Sequence, residues 1–151
     1  MIDGVIIKKI VKNKDSRGWL AEFWRSDDEV AYRPVMGYAS LTRPGVVRGP
    51  HEHKKQGDCF VFMGPGNFEL HLWDNRTASA TKGEYLKIVA GENNPALIIV
   101  PPGVAHGYKN ISDADGLCIN LPDKLYRGEG KAGEVDEIRW ESNSESPFKI
   151  D

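Results

Sequence analysis

The apolar residues of this chain fall in short runs that alternate with polar ones, not in the three-and-four spacing of an amphipathic helix. Phe68-Glu69-Leu70-His71-Leu72 shows the pattern in its simplest form, as expected of a strand with one buried face. Strand-like segments are predicted at residues 4–11, 19–24, 36–42, 46–53, 58–63, 68–72, 84–90, 96–100, 105–110 and 116–121. Between them stand turn formers: Asp15-Ser16-Arg17-Gly18, Arg43-Pro44-Gly45, Gly64-Pro65-Gly66 and Asp74-Asn75-Arg76. A short helical turn is expected over residues 27–30, capped by Ser26 or Asp27. Many short strands split by Gly, Pro and Asn predict an all-β sandwich or barrel. The polar tail, residues 141–151, carries Pro147, Phe148 and Ile150, which would dock it; without that docking it is expected to be disordered.

Composition narrows the classes. A length of 151 residues suits one domain with a real core, taken as residues 1–151. A formal net charge of −2 argues against a nucleic-acid partner, since phosphate recognition needs a basic excess. No apolar run approaches the length of a membrane span, so no membrane partner is expected. The N-terminus lacks the form of a secretory signal, with Asp3, Lys8 and Lys9 around its short apolar run. Cys59 and Cys118 make neither a disulfide framework nor a CxxC zinc pattern. They read as half-buried thiols of a reducing compartment, with the cytoplasm as the default location.

The chemistry concentrates in Arg48-Gly49-Pro50-His51-Glu52-His53, with Asp58 shortly after and a second run at Pro101-Pro102-Gly103-Val104-Ala105-His106-Gly107-Tyr108. His51 and His53 lie two apart on a predicted strand and so point to one face. Inside a small barrel, histidines cost desolvation unless paired or functional. Two functional readings compete. His51, His53, Asp58 and His106 make a ligand set for one divalent transition metal. Alternatively, a histidine poised near neutral pH removes a proton beside a carbonyl. Spacing alone does not separate them.

Arg17 and Arg48, each near a turn with a neighbouring glycine, are candidates for phosphate binding. Tyr38 and Tyr108 can donate a proton or hydrogen-bond a sugar, against a plainer role in packing. Glu22 is a candidate for orienting a histidine, set against a surface carboxylate. The four tryptophans and Cys59 receive no role.

In order, Asp15-Ser16-Arg17-Gly18 with Glu22, Gly45-Val46-Val47-Arg48-Gly49-Pro50-His51, Asp74-Asn75-Arg76 and Pro101-Pro102-Gly103-Val104-Ala105-His106-Gly107 resemble the dTDP-4-dehydrorhamnose 3,5-epimerase family. The resemblance spans roughly residues 14–140. It implies a cupin jelly roll, a homodimer, a nucleotide-sugar substrate, a role in carbohydrate biosynthesis and no cofactor. It makes His51 the catalytic base, Arg17 and Arg48 the diphosphate ligands, and His106 part of the sugar site. Asp58 stands where the family usually has lysine, and Cys118 stands near the place of its proton-donating tyrosine. Met36 and Tyr38 replace its Gln and Asn ligands.

The run from Arg48 to Lys55 is also similar to the sugar 3,4-ketoisomerases, which shuttle protons through an HxH pair with a tyrosine placed like Tyr38. His53 or Tyr38 is then the second proton carrier. The expected function is epimerisation or keto-isomerisation of a nucleotide-linked 4-keto-6-deoxyhexose. The alternatives are a metal-dependent cupin, which the HxH pair and Pro-x-Gly-x-x-His also resemble, and a non-catalytic sugar-binding cupin.

Overall fold

Alternation along the strands decides which face each sheet buries. In the strand Asn67–Asp74, Phe68, Leu70 and Leu72 are fully buried, while Glu69 and Trp73 take the other face. The computed structural model describes residues 1–151. Twelve strands run in order: β1 (Ile6–Lys9), β2 (Asn13–Asp15), β3 (Gly18–Leu20), β4 (Tyr38–Thr42), β5 (Val47–Glu52), β6 (Asp58–Phe62), β7 (Asn67–Asp74), β8 (Tyr85–Gly91), β9 (Ala96–Val100), β10 (Val104–Asn110), β11 (Gly116–Asn120) and β12 (Ile138–Arg139). One five-stranded sheet has the order β1-β9-β6-β11-β4, the other β12-β5-β10-β7-β8, and β2 with β3 forms a separate hairpin. The strand pairs are antiparallel. The two sheets close on a shared core of Phe60, Phe62, Phe68, Leu70, Leu72, Ile98, Val104 and Tyr108, the layout of a cupin jelly roll.

Strands β6 and β9 are buried along their whole length, which is why they read as continuous apolar runs. Their other face carries a second cluster: Ile10, Cys59, Val61, Leu97 and Ile99. Ala21, Phe23, Trp24, Val30 and Tyr32 cover it. This explains two departures from the expected elements. The strand expected over residues 19–24 ends at Leu20, because Phe23 and Trp24 are spent covering that face rather than pairing in a ladder. The helical turn expected over residues 27–30 is a run of turns and bends, with Val30 packed in the same cluster. β2 and β12 were not expected as separate strands; both are short, and neither carries an alternating apolar pattern.

The C-terminal residues lie against the second sheet. Phe148 packs with Trp73 at 5.5 Å and edge-on to Trp140 at 5.1 Å between ring centroids. Ser146 is buried, and Lys109 Nζ donates to the Asp151 carbonyl at 2.6 Å.

Close packing leaves no room for a side chain at Gly116, where a Cβ would stand 2.5 Å from Phe68 Cζ. Both flank the core, so the ring has little space to yield. Gly116→Ala is expected to lower unfolding free energy by about 1–3 kcal/mol, the usual cost of overpacking. Urea denaturation measures it; an unchanged midpoint would show that the Phe68 ring moves freely.

Candidate active site

The histidines meet because β5 and β10 pair in a particular register. His51 lies opposite His106, and Arg48 lies opposite Tyr108. Three residue steps on β5 thus match two on β10, which makes a bulge at Gly49-Pro50. The bulge turns Arg48 and His51 to the same side of the sheet, although strict alternation would set residues three apart on opposite sides. His53, at the end of β5, joins them. The ring centroids stand 4.8 Å apart for His51 and His106, and 5.8 Å for each pair that includes His53.

Asp58 arrives from the opposite sheet, at the start of β6, and is 1% exposed. Its Oδ2 stands 3.2 Å from His53 Nε2 and 3.1 Å from His106 Nε2. Its Oδ1 accepts from Gln56 Nε2 at 3.0 Å and from Asn120 Nδ2 at 2.8 Å. Asn120 Nδ2 also donates to the Tyr38 hydroxyl oxygen at 2.8 Å, and Asn120 Oδ1 accepts the Cys59 N–H at 3.1 Å. The amide is therefore fully used and its orientation decided by its partners. A polar chain runs from Tyr38 through Asn120 and Asp58 to two of the three histidines.

Each histidine has a different electrostatic setting. His106 donates from Nδ1 to the Val104 carbonyl at 2.9 Å. Its buried Nε2 faces Asp58 out of hydrogen-bond alignment and has no other partner. His53 donates from Nδ1 to the Asp136 carbonyl. Burial alone would lower the His53 pKa, but Asp58 and the Asp136 carbonyl outweigh it and raise it to about 9. His51 makes no hydrogen bond to the protein. Burial, followed by the neighbouring His106 and His53, lowers its pKa to about 3, with Asp58 pulling weakly the other way. Burial would raise the Asp58 carboxyl, yet the close His106 and His53 rings hold it well below the usual carboxylate range. Near neutral pH the site thus contains a cationic His53, an anionic Asp58 and a neutral His51 with a free lone pair. Burial pushes the Tyr38 hydroxyl up to about 12, against the Asn120 hydrogen bond, so it remains a phenol.

His51, His53 and Tyr38 of this cluster lie on the floor of a cavity of about 810 Å³, while Asp58, His106 and Asn120 stand behind them and do not line it. His51, His53, Tyr38, Met36 and Gln56 line it from the barrel, and residues of the segment 122–139 form its outer wall. That segment is fastened at its N-terminal end by the Asp123 carboxylate, which accepts the Gly57 N–H at 2.8 Å, and more extensively at its C-terminal end. Ile138 and Arg139 of β12 pair with Glu52 and His51 of β5. The Asp136 carboxylate accepts the backbone N–H groups of Lys54, Lys55 and Gln56 at 2.8–3.0 Å.

The remaining sequence candidates lie elsewhere in this chain. The Arg17 side chain is 88% exposed on the β2–β3 hairpin and bound to Asp15 at 2.6 Å. Glu22 is exposed and pairs with Arg25 at 3.4 Å. Arg48 is held by Thr42 Oγ1 at 2.8 Å and the Leu41 carbonyl at 2.9 Å. Tyr108 is buried in the core, its hydroxyl 2.8 Å from Ser40 Oγ. None of these four lines the cavity. Sequence reasoning missed Asn120, Gln56, Asp136 and the whole wall. Asn120 sits at the inward position that ends β11, a buried polar residue at the close of an apolar strand, which was the available signal.

Residues 1–144 match the model of the dTDP-4-dehydrorhamnose 3,5-epimerase family. The chain belongs to that family. Its relatives include the spore coat polysaccharide biosynthesis protein SpsL of Bacillus subtilis, 41% identical over 126 residues that cover 83% of each chain. The probable low-salt glycan biosynthesis epimerase Agl13 of Haloferax volcanii is 41% identical over 127 residues, 83% of this chain and 81% of that one. Among solved structures, the dTDP-4-dehydrorhamnose 3,5-epimerase of Sulfolobus tokodaii superposes with a TM-score of 0.75 at 28% identity, covering 91% of this chain and 77% of that one. A dTDP sugar isomerase from Desulfovibrio desulfuricans shares the fold, with a TM-score of 0.86 at 22% identity over 98% of this chain and 91% of that one. The family expected from the motifs, the all-β cupin jelly roll and an enzymatic role in nucleotide-sugar epimerisation therefore hold for this family member.

Proposed function

We propose that this protein epimerises or keto-isomerises a nucleotide-linked 4-keto-6-deoxyhexose by proton transfer beside the ketone. The observation that carries this is His51: neutral, free of protein hydrogen bonds, and facing a cavity that also receives the Tyr38 hydroxyl. The 4-keto group acidifies the hydrogen on the adjacent carbon. His51 takes that proton, and the electron pair of the broken C–H bond passes to an enolate. The cationic His53 lowers the energy of the developing oxyanion through the low-dielectric floor. A proton then returns to the opposite face from Tyr38. Its hydroxyl oxygen already accepts from Asn120, which leaves the O–H free to point into the cavity. Arg17 and Arg48 are assigned to the nucleotide diphosphate on the family resemblance, with His106 backing His51 behind the cavity floor.

These steps conserve atoms and electrons with side chains alone, so the reading needs no cofactor. The relatives' names, an epimerase of glycan biosynthesis and a protein of spore coat polysaccharide biosynthesis, support a place in carbohydrate biosynthesis. The assembly is assigned as a cytoplasmic homodimer. Two features support the dimer: the exposed Trp19 and Leu20 on the β2–β3 hairpin, and the exposed Leu41 on the edge strand β4. Light scattering on the eluting protein reads the mass.

Proton NMR in deuterated water tests the chemistry, with a dTDP-4-keto-6-deoxyhexose as substrate. Loss of the signal at carbon 3 or carbon 5 is expected. No exchange with this sugar on dTDP, UDP or GDP would overturn the reading. Tyr38→Phe separates the two half-reactions. Exchange at the α-carbon is expected to persist, because His51 is intact, while inverted product forms about 100-fold more slowly. Equal loss of both would show that Tyr38 acts before the enolate.

One observation favours a second reading. The ring nitrogens of His51, His53 and His106 lie within 4.8 Å of one another, and His53 and His106 each donate from Nδ1 to a carbonyl, as metal-bound imidazoles do. Asp58 lies against His53 and His106 and is outside that three-histidine group. Stoichiometric zinc, iron or manganese in the purified protein, with activity lost on its removal, would establish that reading.

A further inference from the structure

One residue of the outer wall bonds directly to the histidine cluster. The main-chain carbonyl of Asp136 accepts His53 Nδ1–H. Its carboxylate accepts three consecutive backbone N–H groups: Lys54 at 2.9 Å on Oδ1, and Lys55 at 2.8 Å and Gln56 at 3.0 Å on Oδ2. The two ends of Asp136 thus grip residues 53–56, which lie 80 to 83 positions away in the sequence. Three converging N–H donors need an acceptor with two oxygens and no hydrogen of its own, which an ionised carboxylate is and a carboxamide is not.

His53 is 8% exposed, and both its ring nitrogens are engaged. Asp58 Oδ2 stands 3.2 Å from Nε2, and the Asp136 carbonyl takes Nδ1. A ring held at both nitrogens cannot flip or swing without losing one of these contacts. Asp136 also reaches Asp58 by a second route, because the Gln56 whose N–H it accepts donates from Nε2 to Asp58 at 3.0 Å. The other end of the wall has no such reach. Asp123 is clasped to Gly57, accepting its N–H at 2.8 Å and donating its own N–H to the Gly57 carbonyl at 3.2 Å. Between the two aspartates, residues 124–135 include no buried residue. The wall is therefore tied to one turn of the barrel by two carboxylates, and of these two residues only Asp136 bonds a histidine.

Resting on the reading of His53 as the group that stabilises the enolate, we infer that Asp136 is a positioning residue for the reaction. By clasping the 54–56 turn and the His53 ring together, it aims His53 at the developing oxyanion. Its carboxylate is filled by the three N–H groups, so its part is to hold His53 rather than to touch the sugar. The outer wall then does more than enclose the substrate: its seating on the barrel sets the geometry of the proton-transfer site.

Asp136→Ala and Asp123→Ala form a matched pair, each removing one carboxylate that ties the wall to the same turn. Exchange of the α-proton of a dTDP-4-keto-6-deoxyhexose in deuterated water gives kcat and KM for both. Asp136→Ala is expected to lower kcat about 100-fold, as misplacement of a reacting group does, with KM within about threefold of wild type. Asp123→Ala should leave kcat within about twofold. The nitrogen–proton spectrum of the free protein adds a reading that needs no substrate. The His53 Nδ1–H signal, assigned by its loss in His53→Gln, should be present in the wild type and Asp123→Ala and absent in Asp136→Ala. Should Asp136→Ala melt well below Asp123→Ala, Asp136→Asn, which keeps one acceptor oxygen, carries the test with the same sign. Equal loss of kcat in the matched pair, or an unchanged His53 signal in Asp136→Ala, would overturn this inference and leave the proposed reaction intact. No exchange by the wild type with this sugar on dTDP, UDP or GDP would overturn both.

Discussion

His51→Asn is expected to slow α-proton exchange by about 10³-fold or more, the range of a lost general base. Substrate affinity should change little, because asparagine keeps the volume and a polar edge at the cavity floor. The effect follows from the separate settings of the three imidazoles. His53 is protonated and held by Asp58 and the Asp136 carbonyl, and His106 is tied to Val104. His51 alone has an uncommitted lone pair that faces the cavity. Its pKa of about 3 has a consequence for the pH profile. The base stays deprotonated across the physiological range, so the rate should not fall between pH 7 and pH 5 as it would for an ordinary histidine of 6.5. Exchange followed by NMR over that interval measures it. A rate that drops tenfold by pH 5.5 would mean that His51 titrates normally and that neither burial nor its neighbours act on it.

Asp58→Ala is expected to cost about 3–5 kcal/mol, the penalty for breaking a buried ion pair by removing one partner. It strips the counter-ion from His53 and leaves one N–H each of Gln56 and Asn120 without its acceptor. The pH dependence has a definite sign. The His53 pKa, about 9 against an ordinary 6.5, means that the folded state binds this proton more tightly than the unfolded chain. The stability gained is full below pH 6.5 and is lost as pH rises through 9. The depressed Asp58 contributes above its ordinary value of 3.8 and loses that contribution as pH falls through its folded value. The deficit of Asp58→Ala should therefore be largest between these limits and shrink toward pH 9. Urea unfolding at pH 6 and pH 9 measures the difference. An equal deficit at both would mean that the His53 proton is not coupled to Asp58.

The alternation of Phe68, Leu70 and Leu72 and the apolar runs at 58–62 and 96–100 were enough to place most strands, because a two-residue period is a local property of the backbone. Where local pattern and tertiary demand parted, the strand prediction failed. Phe23 and Trp24 look like strand residues, but they cover the outer cluster around Cys59 and Val61. The histidines were also visible in advance. His51-x-His53 forces one shared face, and their polarity is costly inside a barrel unless it is used.

What the sequence determined by itself was the all-β class, the histidine pair and the family, each carried by short-range spacing or by motifs in a set order. Only the tertiary structure decided which groups meet across the barrel. The bulge at Gly49-Pro50 brought Arg48 and His51 to one side. The pairing of β11 with β6 brought Asn120 to Asp58, and the facing of the two sheets brought Asp58 to His53 and His106. The 122–139 wall has no period to read, since an exposed loop has no buried face to impose one. Its position over the cavity rests on Asp136 and β12, contacts about eighty residues distant in sequence, as the Lys54 bond spanning 82 positions shows. Such contacts depend on chain closure, which no local pattern encodes.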